Sequence, residues 1–588
     1  MDRFRNFKIA SYAHANFLSE ADANDIQKGI DYFNRYVPLD KVYLEVHRGP
    51  FDIPREKLRQ FKDKFQENGI KVAGGITSTL SVEGMKKNSI FDVLCYSEPA
   101  YRKRYLEIVK YAAEEFDEII LDDFFFTACR CERCIEKKGA RSWEEYRTAL
   151  MEEVAREVTE QAAAVNPKCR VIIKYPNWYD SYQETGYCPD RQKDIFAGIF
   201  TGTETRNTVY DQQHLPRYLS YSLPRYLERT APGRNGGGWI DLGFSSGNLN
   251  YWVDQACFTL LSGARELMLF NFSELTGSPA LPPLAPVLER MDNFLDQAGV
   301  PEGLFAYEPL RSVGEDFIMQ YMGMLGIPFE PVPEWEADGR TESIFLDERA
   351  ACDPDVVEKL KKHLLLGKKA LITTGFLRAT YDRGMKDLTS IRFTNRRVSG
   401  REYWIDSYTL NRKSHHTGDE PVSLEVLEYR TNATWCEAAM VAGECNFPLL
   451  LSDCYGDGCM YTLNVPDNFS DLYFLPPEVT GYIAKSAAPE LPLYMESKAK
   501  HSMFLYDNNV FGVVSLRPYP EDVKLVTKGE GVRALQDIDT GEIIEPSAIK
   551  PGPVRRFDVV EAAKEPVRKV FDVPVENGAY RFFKILME

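Results

Sequence analysis

Histidine is scarce in this chain, seven among 588 residues, and none stands in an H-x-H pair. A site built from several histidines is therefore not expected. No apolar run approaches the roughly 20 residues that a membrane-spanning helix requires. Lysine and arginine nowhere cluster among aromatics, and the net charge is −17, which argues against nucleic acid and anionic membranes as partners. The opening stretch MDRFRNFKIASYAHANFL lacks the apolar core and small-residue cleavage site of a secretory leader. The expected location is cytoplasmic, or periplasmic or secreted if a leader has been removed. Twelve cysteines in so long a chain are too few for a disulfide framework. Internal repeats and low-complexity tracts are missing as well.

What is present is ordinary globular composition, 44% hydrophobic and 27% charged, over a length that calls for two to four domains. Eight short apolar runs alternate with helical stretches across residues 1–303. They lie at 7–14, 41–47, 70–77, 118–123, 169–175, 194–202, 236–243 and 266–273. Eight β/α units in about 300 residues predict a (β/α)8 TIM barrel, with an open doubly wound sheet as the competing arrangement. Residues 304–488 begin as helix, strand, helix, strand, which predicts a smaller flavodoxin-like α/β domain. Residues 489–588 read as strands alone, with runs such as SMFLYDNNVFGVVSLR and YRFFKILM, and predict a small β-sandwich domain.

The fourth strand runs into DDFFFTACRCERC. Its Cys129, Cys131 and Cys134, with Cys95 from the preceding loop, offer four thiolates of the kind a structural zinc takes. Such a closed shell leaves no position for water, so the metal would shape the loop rather than react. This cluster after the fourth strand resembles the zinc cluster of glycoside hydrolase family 42 β-galactosidases. The stretch MGMLGIPFEPV through LKKHLLLGKKALITTGFL (322–377) is similar to that family's glutamine-amidotransferase-like trimerisation domain. The resemblance implies a barrel, an amidotransferase-like α/β domain, a small β domain and a homo-oligomer, trimer or dimer. It also shows departures. ITTGFL stands where an amidotransferase has its nucleophilic cysteine, and Asp122-Asp123 stands where the family has an Asn-Glu pair whose glutamate donates a proton.

Reactive groups of a barrel gather at the C-terminal ends of its strands. Those ends supply Tyr12 and His14, Glu45, His47 and Arg48, Asp122 and Asp123, Lys174 and Trp178, Glu204 and Arg206, Trp239 and Asp241, and Asn271 and Glu274. Carboxylates among aromatics fit a sugar, whose C–H faces stack on rings while its hydroxyls take polar groups. Glycosidic cleavage needs two carboxylates. An aspartate ending strand four with a carboxylate ending strand six resembles α-galactosidase-like hydrolases, which implies Asp122 as nucleophile and Glu204 as proton donor. Asp123 and Asp241 are the other catalytic candidates. Substrate-binding candidates are His14, Glu45, His47, Lys174, Trp178, Arg206, Trp239, Asn271 and Glu274. The expected function is an exo-acting glycoside hydrolase with a structural zinc and no organic cofactor. Two alternatives stay open: a non-catalytic carbohydrate-binding protein on the same scaffold, and a metal-dependent hydrolase using His14, Glu45, Asp122 and Asp123.

Overall fold

A computed structural model describes residues 3–81, 93–211, 213–243, 247–407, 412–430, 432–527, 531–550 and 568–588. The chain separates into two units, residues 1–296 and 297–588. In the first, all eight expected strands form: β1 (Lys8–Ala13), β2 (Lys41–Arg48), β3 (Lys71–Ile76), β4 (Glu118–Leu121), β5 (Arg170–Tyr175), β6 (Gly198–Gly202), β7 (Asn235–Asp241) and β8 (Glu266–Phe270). Each pairs in parallel with the next, and β8 and β2 both pair with β1, so the sheet closes into a barrel. The open-sheet alternative is thereby ruled out.

The closed wall explains why these strands are apolar on both faces. One face meets the outer helices, and the other fills the barrel with Ala10, Tyr12, Tyr43, Ala73, Ile120, Ile172, Phe200, Trp239 and Met268. Large rings fit because glycines make room for them. A Cβ at Gly75 would stand 2.5 Å from the Tyr12 hydroxyl. The run Gly236-Gly237-Gly238 serves the wall in the same way, since a Cβ at Gly237 would lie 2.0 Å from the Glu266 carbonyl oxygen. These glycines thus serve close backbone packing inside β7.

The second unit contains a nine-stranded mixed sheet. Five of its strands are parallel, in the order 329–332, 304–307, 343–346, 369–373, 458–463. That is the 2-1-3-4-5 arrangement of flavodoxin-like folds. Four long antiparallel strands extend it, Ile391–Ser407, Arg412–Tyr429, Thr434–Ala442 and Cys445–Tyr455. The sequence reading did not anticipate this extension, because charged residues interrupt the apolar alternation of its first two strands. The chain closes in two antiparallel sheets of six and four strands. The larger takes in the short strand Pro301–Glu302, which pairs with His501–Tyr506.

Candidate active site

The mouth of the barrel is built around one ammonium group. Lys174, the penultimate residue of β5, points inward and is buried. Its Nζ lies 2.9 Å from Asp123 Oδ2, 2.5 Å from Glu204 Oε1 and 3.9 Å from Asp122 Oδ1. The Trp239 ring lies beneath it, 4.3 Å from Nζ to the ring centroid, an arrangement that favours the cation. Three carboxylates from the ends of β4 and β6 therefore share one positive charge.

The three carboxylates differ in surroundings. Asp122 accepts from Arg48 Nη2 at 2.8 Å, Thr77 Oγ1 at 3.1 Å and the Asp123 amide at 2.8 Å. Burial works against its charge, but Lys174 and Arg48 prevail and hold its carboxyl below the usual range. Asp123 has Lys174 as its side-chain partner and is the more open of the two, with 19% of its side chain exposed against 4% for Asp122. Burial, opposed by Lys174 and reinforced by the charges of Asp122 and Glu204, pushes Asp123 up to about 7. Burial also raises Glu204, against the pull of Lys174. Glu204 Oε2 is buried without a hydrogen-bond partner among the described residues.

A second ring of contacts fixes this group. Glu45 accepts from the Tyr12 hydroxyl at 2.8 Å, the Ala15 amide at 2.6 Å and Arg48 Nε at 2.9 Å, and also from the Thr77 hydroxyl. Arg206, at a left-handed φ of 49°, grips Asp241 with Nε at 2.9 Å and Nη2 at 2.6 Å. Asn177 donates to the Glu204 carbonyl at 2.7 Å and exchanges hydrogen bonds with the Gln213 amide.

Residues 1–284 match the family model described as "Probable glycosyl hydrolase, catalytic domain". Residues 296–468 match "Uncharacterized protein SSO3021, second domain", and 492–585 match "Probable glycosyl hydrolase, C-terminal domain". The protein named Uncharacterized protein SSO3021, from Saccharolobus solfataricus, is 24% identical over 363 residues. That alignment covers 55% of this chain and 60% of the relative. Among solved structures, α-L-fucosidase isoenzyme 2 from Paenibacillus thiaminolyticus superposes with a TM-score of 0.65 at 12% identity, covering 99% of this chain and 100% of the other. The β-galactosidase from Bacillus circulans sp. alkalophilus does so with a TM-score of 0.59 at 11% identity, covering 99% of each chain. The β-galactosidase from Rahnella sp. R3 reaches a TM-score of 0.62 at 9% identity, over 98% of this chain and 99% of the other. The chain thus shares its fold, over nearly its whole length, with these β-galactosidases and the fucosidase.

Against that fold the sequence candidates sort by position. Asp122, Asp123, Lys174 and Glu204 converge, with Glu45 bracing them through Arg48. Asp241 and Arg206 form a pair with each other. His47 is buried with both nitrogens engaged, Nδ1 with Asp52 at 2.8 Å and Nε2 with the Thr79 carbonyl at 2.6 Å. His14 caps the helix Ala15–Glu20, its Nδ1 accepting from the Phe17 amide. Trp239 is only 1% exposed and forms a floor, while Trp178 packs edge-on against Phe126. Asn271 caps the turn at Phe272–Leu275, and Glu274 on that turn is exposed. Of the three phenylalanines after Asp123, Phe125 and Phe126 are buried, and Phe124 lies under the Arg48 guanidinium. Thr77 and the Asn177–Gln213 pair were not singled out from sequence. A polar residue directly after the apolar run of β3 is the signal that marks Thr77.

Beside this mouth the sulfurs of Cys95, Cys129, Cys131 and Cys134 all lie within 4.8 Å of one another. Cys95 Sγ is 3.7 Å from Cys131 Sγ and 3.6 Å from Cys134 Sγ. A tetrahedron of about 2.3 Å Zn–S bonds has edges of about 3.8 Å, so the donor set fits a tetrahedral metal ion. His14, Glu45, Asp122 and Asp123 form no comparable group among the described residues. The metal-dependent reading therefore lacks the convergence it needs.

Proposed function

We propose that this protein is a glycoside hydrolase that removes a terminal sugar, with Asp123 and Glu204 as its reacting carboxylates. The observation that carries this reading is the single Lys174 ammonium shared by both at 2.9 and 2.5 Å. Their nearest oxygens can be no farther apart than the sum of those distances. That suits the roughly 5–5.5 Å separation of retaining enzymes better than the 6.5–9.5 Å of inverting ones.

The closer contact to Lys174 favours the anion on Glu204, and the more open Asp123, pushed up to about 7, keeps the proton. Asp123 also takes the place of the proton-donating glutamate of the family 42 pattern. In the first step Asp123 protonates the glycosidic oxygen while the Glu204 carboxylate attacks the anomeric carbon. The leaving sugar departs as an alcohol, and a glycosyl ester on Glu204 remains. Asp123, now ionised, then takes a proton from the water that hydrolyses this ester. Asp122, committed to Arg48 and Thr77, holds the frame in place of the nucleophilic role that the α-galactosidase resemblance implies for it. Because Glu204 is buried above the Trp239 floor, the reacting carbon must enter the depth of the barrel. A chain end can do this and an internal sugar unit cannot.

The four cysteines, in this reading, hold a structural zinc that pins the loop carrying Asp122 and Asp123. The resemblance of the middle region to a trimerisation domain supports a homo-oligomer, which light scattering on the purified protein would measure. The test of function is a screen of aryl glycosides with the wild type, Asp123→Asn and Glu204→Gln. Turnover that falls at least about a hundredfold in both variants supports the reading. Full activity in both would sink it.

A further inference from the structure

The hairpin that joins the parallel and antiparallel parts of the mixed sheet carries two cysteines with no part in the barrel chemistry. Strands Cys445–Tyr455 and Gly458–Leu463 pair antiparallel, Tyr455 opposite Gly458 and Cys454 opposite Cys459. Gly456 and Asp457 alone make the turn, and Gly456 takes the left-handed φ of 60° that a two-residue hairpin turn demands. In such a hairpin the residues flanking the turn exchange both backbone hydrogen bonds. The next pair outward is then a non-hydrogen-bonded pair, with Cα atoms about 4.5 Å apart and side chains at their closest. The Cys459 amide agrees with this placement, for it donates at 3.2 Å to the carbonyl of Lys368, just before the neighbouring strand Lys369–Thr373, away from Cys454.

A disulfide bridges Cα atoms roughly 4.4–6.8 Å apart, so this pair can close without moving the backbone. Directly opposed residues put their side chains on the same face of the hairpin, so the two thiols face each other. Neither is in a disulfide, Cys454 is exposed and Cys459 is partly covered. A small oxidant can therefore reach Cys454 and leave Cys459 positioned to resolve the product.

We propose that Cys454 and Cys459 are a reversible redox pair that a peroxide closes to an intrachain disulfide and a dithiol reopens. The Cys454 thiolate attacks one oxygen of hydrogen peroxide, the O–O bond breaks, and water leaves after taking up a proton. The resulting sulfenic acid is attacked by the Cys459 sulfur, the S–S bond forms, and the S–O bond breaks with loss of a second water. Two thiols are oxidised by two electrons, and one peroxide is reduced to two waters. The closed pair fixes the register of strand Gly458–Leu463, which also pairs with Lys369–Thr373 in the parallel part of the sheet.

The test treats the reduced full-length protein with one equivalent of hydrogen peroxide, quenches with catalase, and alkylates with iodoacetamide. Peptide mass mapping should find both residues unalkylated and two hydrogens lighter, with alkylation of both restored by dithiothreitol. Cys454→Ser should leave Cys459 alkylatable and Cys459→Ser should leave no bridge at Cys454, each with an unchanged melting temperature. Cys352→Ser should close the bridge as the wild type does. Alkylation of both residues after peroxide would overturn the proposal. So would a bridge found only between two chains, or irreversible oxidation of Cys454 with no bridge.

Discussion

Two parallel sheets in this molecule end in buried carboxylates, and the two groups differ in how far they open to solvent. At the barrel mouth, Asp123 and Glu204 share Lys174, and Asp123 keeps 19% of its side chain exposed. In the mixed sheet, Glu308 and Asp347 follow the first and third parallel strands, where flavodoxin-like folds bind their ligands. Both are 1% exposed. Arg349 is 3.9 Å from Glu308 and 3.0 Å from Asp316, and it donates to Ser312 Oγ at 3.1 Å. Glu315 closes the same corner, accepting from Thr373 Oγ1 at 2.5 Å, the Glu348 amide at 2.9 Å and the Gly375 amide at 3.1 Å. Burial pushes it up to about 7. Gathering acids at strand ends is thus a property of parallel sheets. Chemistry additionally needs an acid that solvent and substrate can reach.

The largest expected contrast follows from that difference. Asp123→Asn and Glu204→Gln should lower kcat/KM by about 10²–10⁴, measured on the best aryl glycoside, and leave the melting temperature near that of the wild type. Arg349→Ala should do the reverse in character. It strips the cation from buried Glu308 and should destabilise the second unit by about 3–5 kcal/mol, read from denaturant unfolding.

Metal content sharpens the comparison next. About one zinc per chain is expected by elemental analysis, and Cys131→Ser should lower both zinc content and melting temperature. Asp123→Asn should keep its zinc.

The pH profile gives a smaller effect with a definite sign. A proton donor pushed up to about 7 is protonated below that pH and lost above it, so kcat/KM should fall about tenfold per unit at higher pH. Lys174 lowers the affinity of Asp123 for its proton. Lys174→Met should accordingly move that limb to higher pH while reducing turnover. The smallest effect belongs to Asp347→Asn. Burial, with the charges of Glu308 and Glu315, raises the Asp347 carboxyl well above its usual value, so its charge is disfavoured where it stands. The asparagine keeps the Oδ1 that accepts from the Arg349 amide at 2.9 Å. Stability at pH 7 should change by less than about 1 kcal/mol.

The barrel was legible in the sequence because burial on both faces makes each strand a short apolar run, and all eight runs became strands. The cysteine cluster was legible because C-x-C-x-x-C places three thiols within six residues, where the loop after β4 enters the helix Glu132–Lys138, with Cys95 as the single long-range member. The division of labour between Asp122 and Asp123 was not legible. Strand alternation would send them to opposite faces, but β4 ends at Leu121, and both carboxylates turn toward Lys174. Their difference comes from Arg48 and Thr77, which β2 and the end of β3 supply from 74 and 45 residues away. The long antiparallel extension was hidden for a similar reason, since its first two strands expose charged side chains that mask the alternation.

The most direct test of the shared-lysine pair is azide rescue of Asp123→Ala and Glu204→Ala on an aryl glycoside with a good leaving group. With Asp123 as proton donor and Glu204 as nucleophile, the first variant should yield a glycosyl azide of retained configuration. The second should yield one of inverted configuration. The same product from both variants, or rescue of neither, would contradict the assignment.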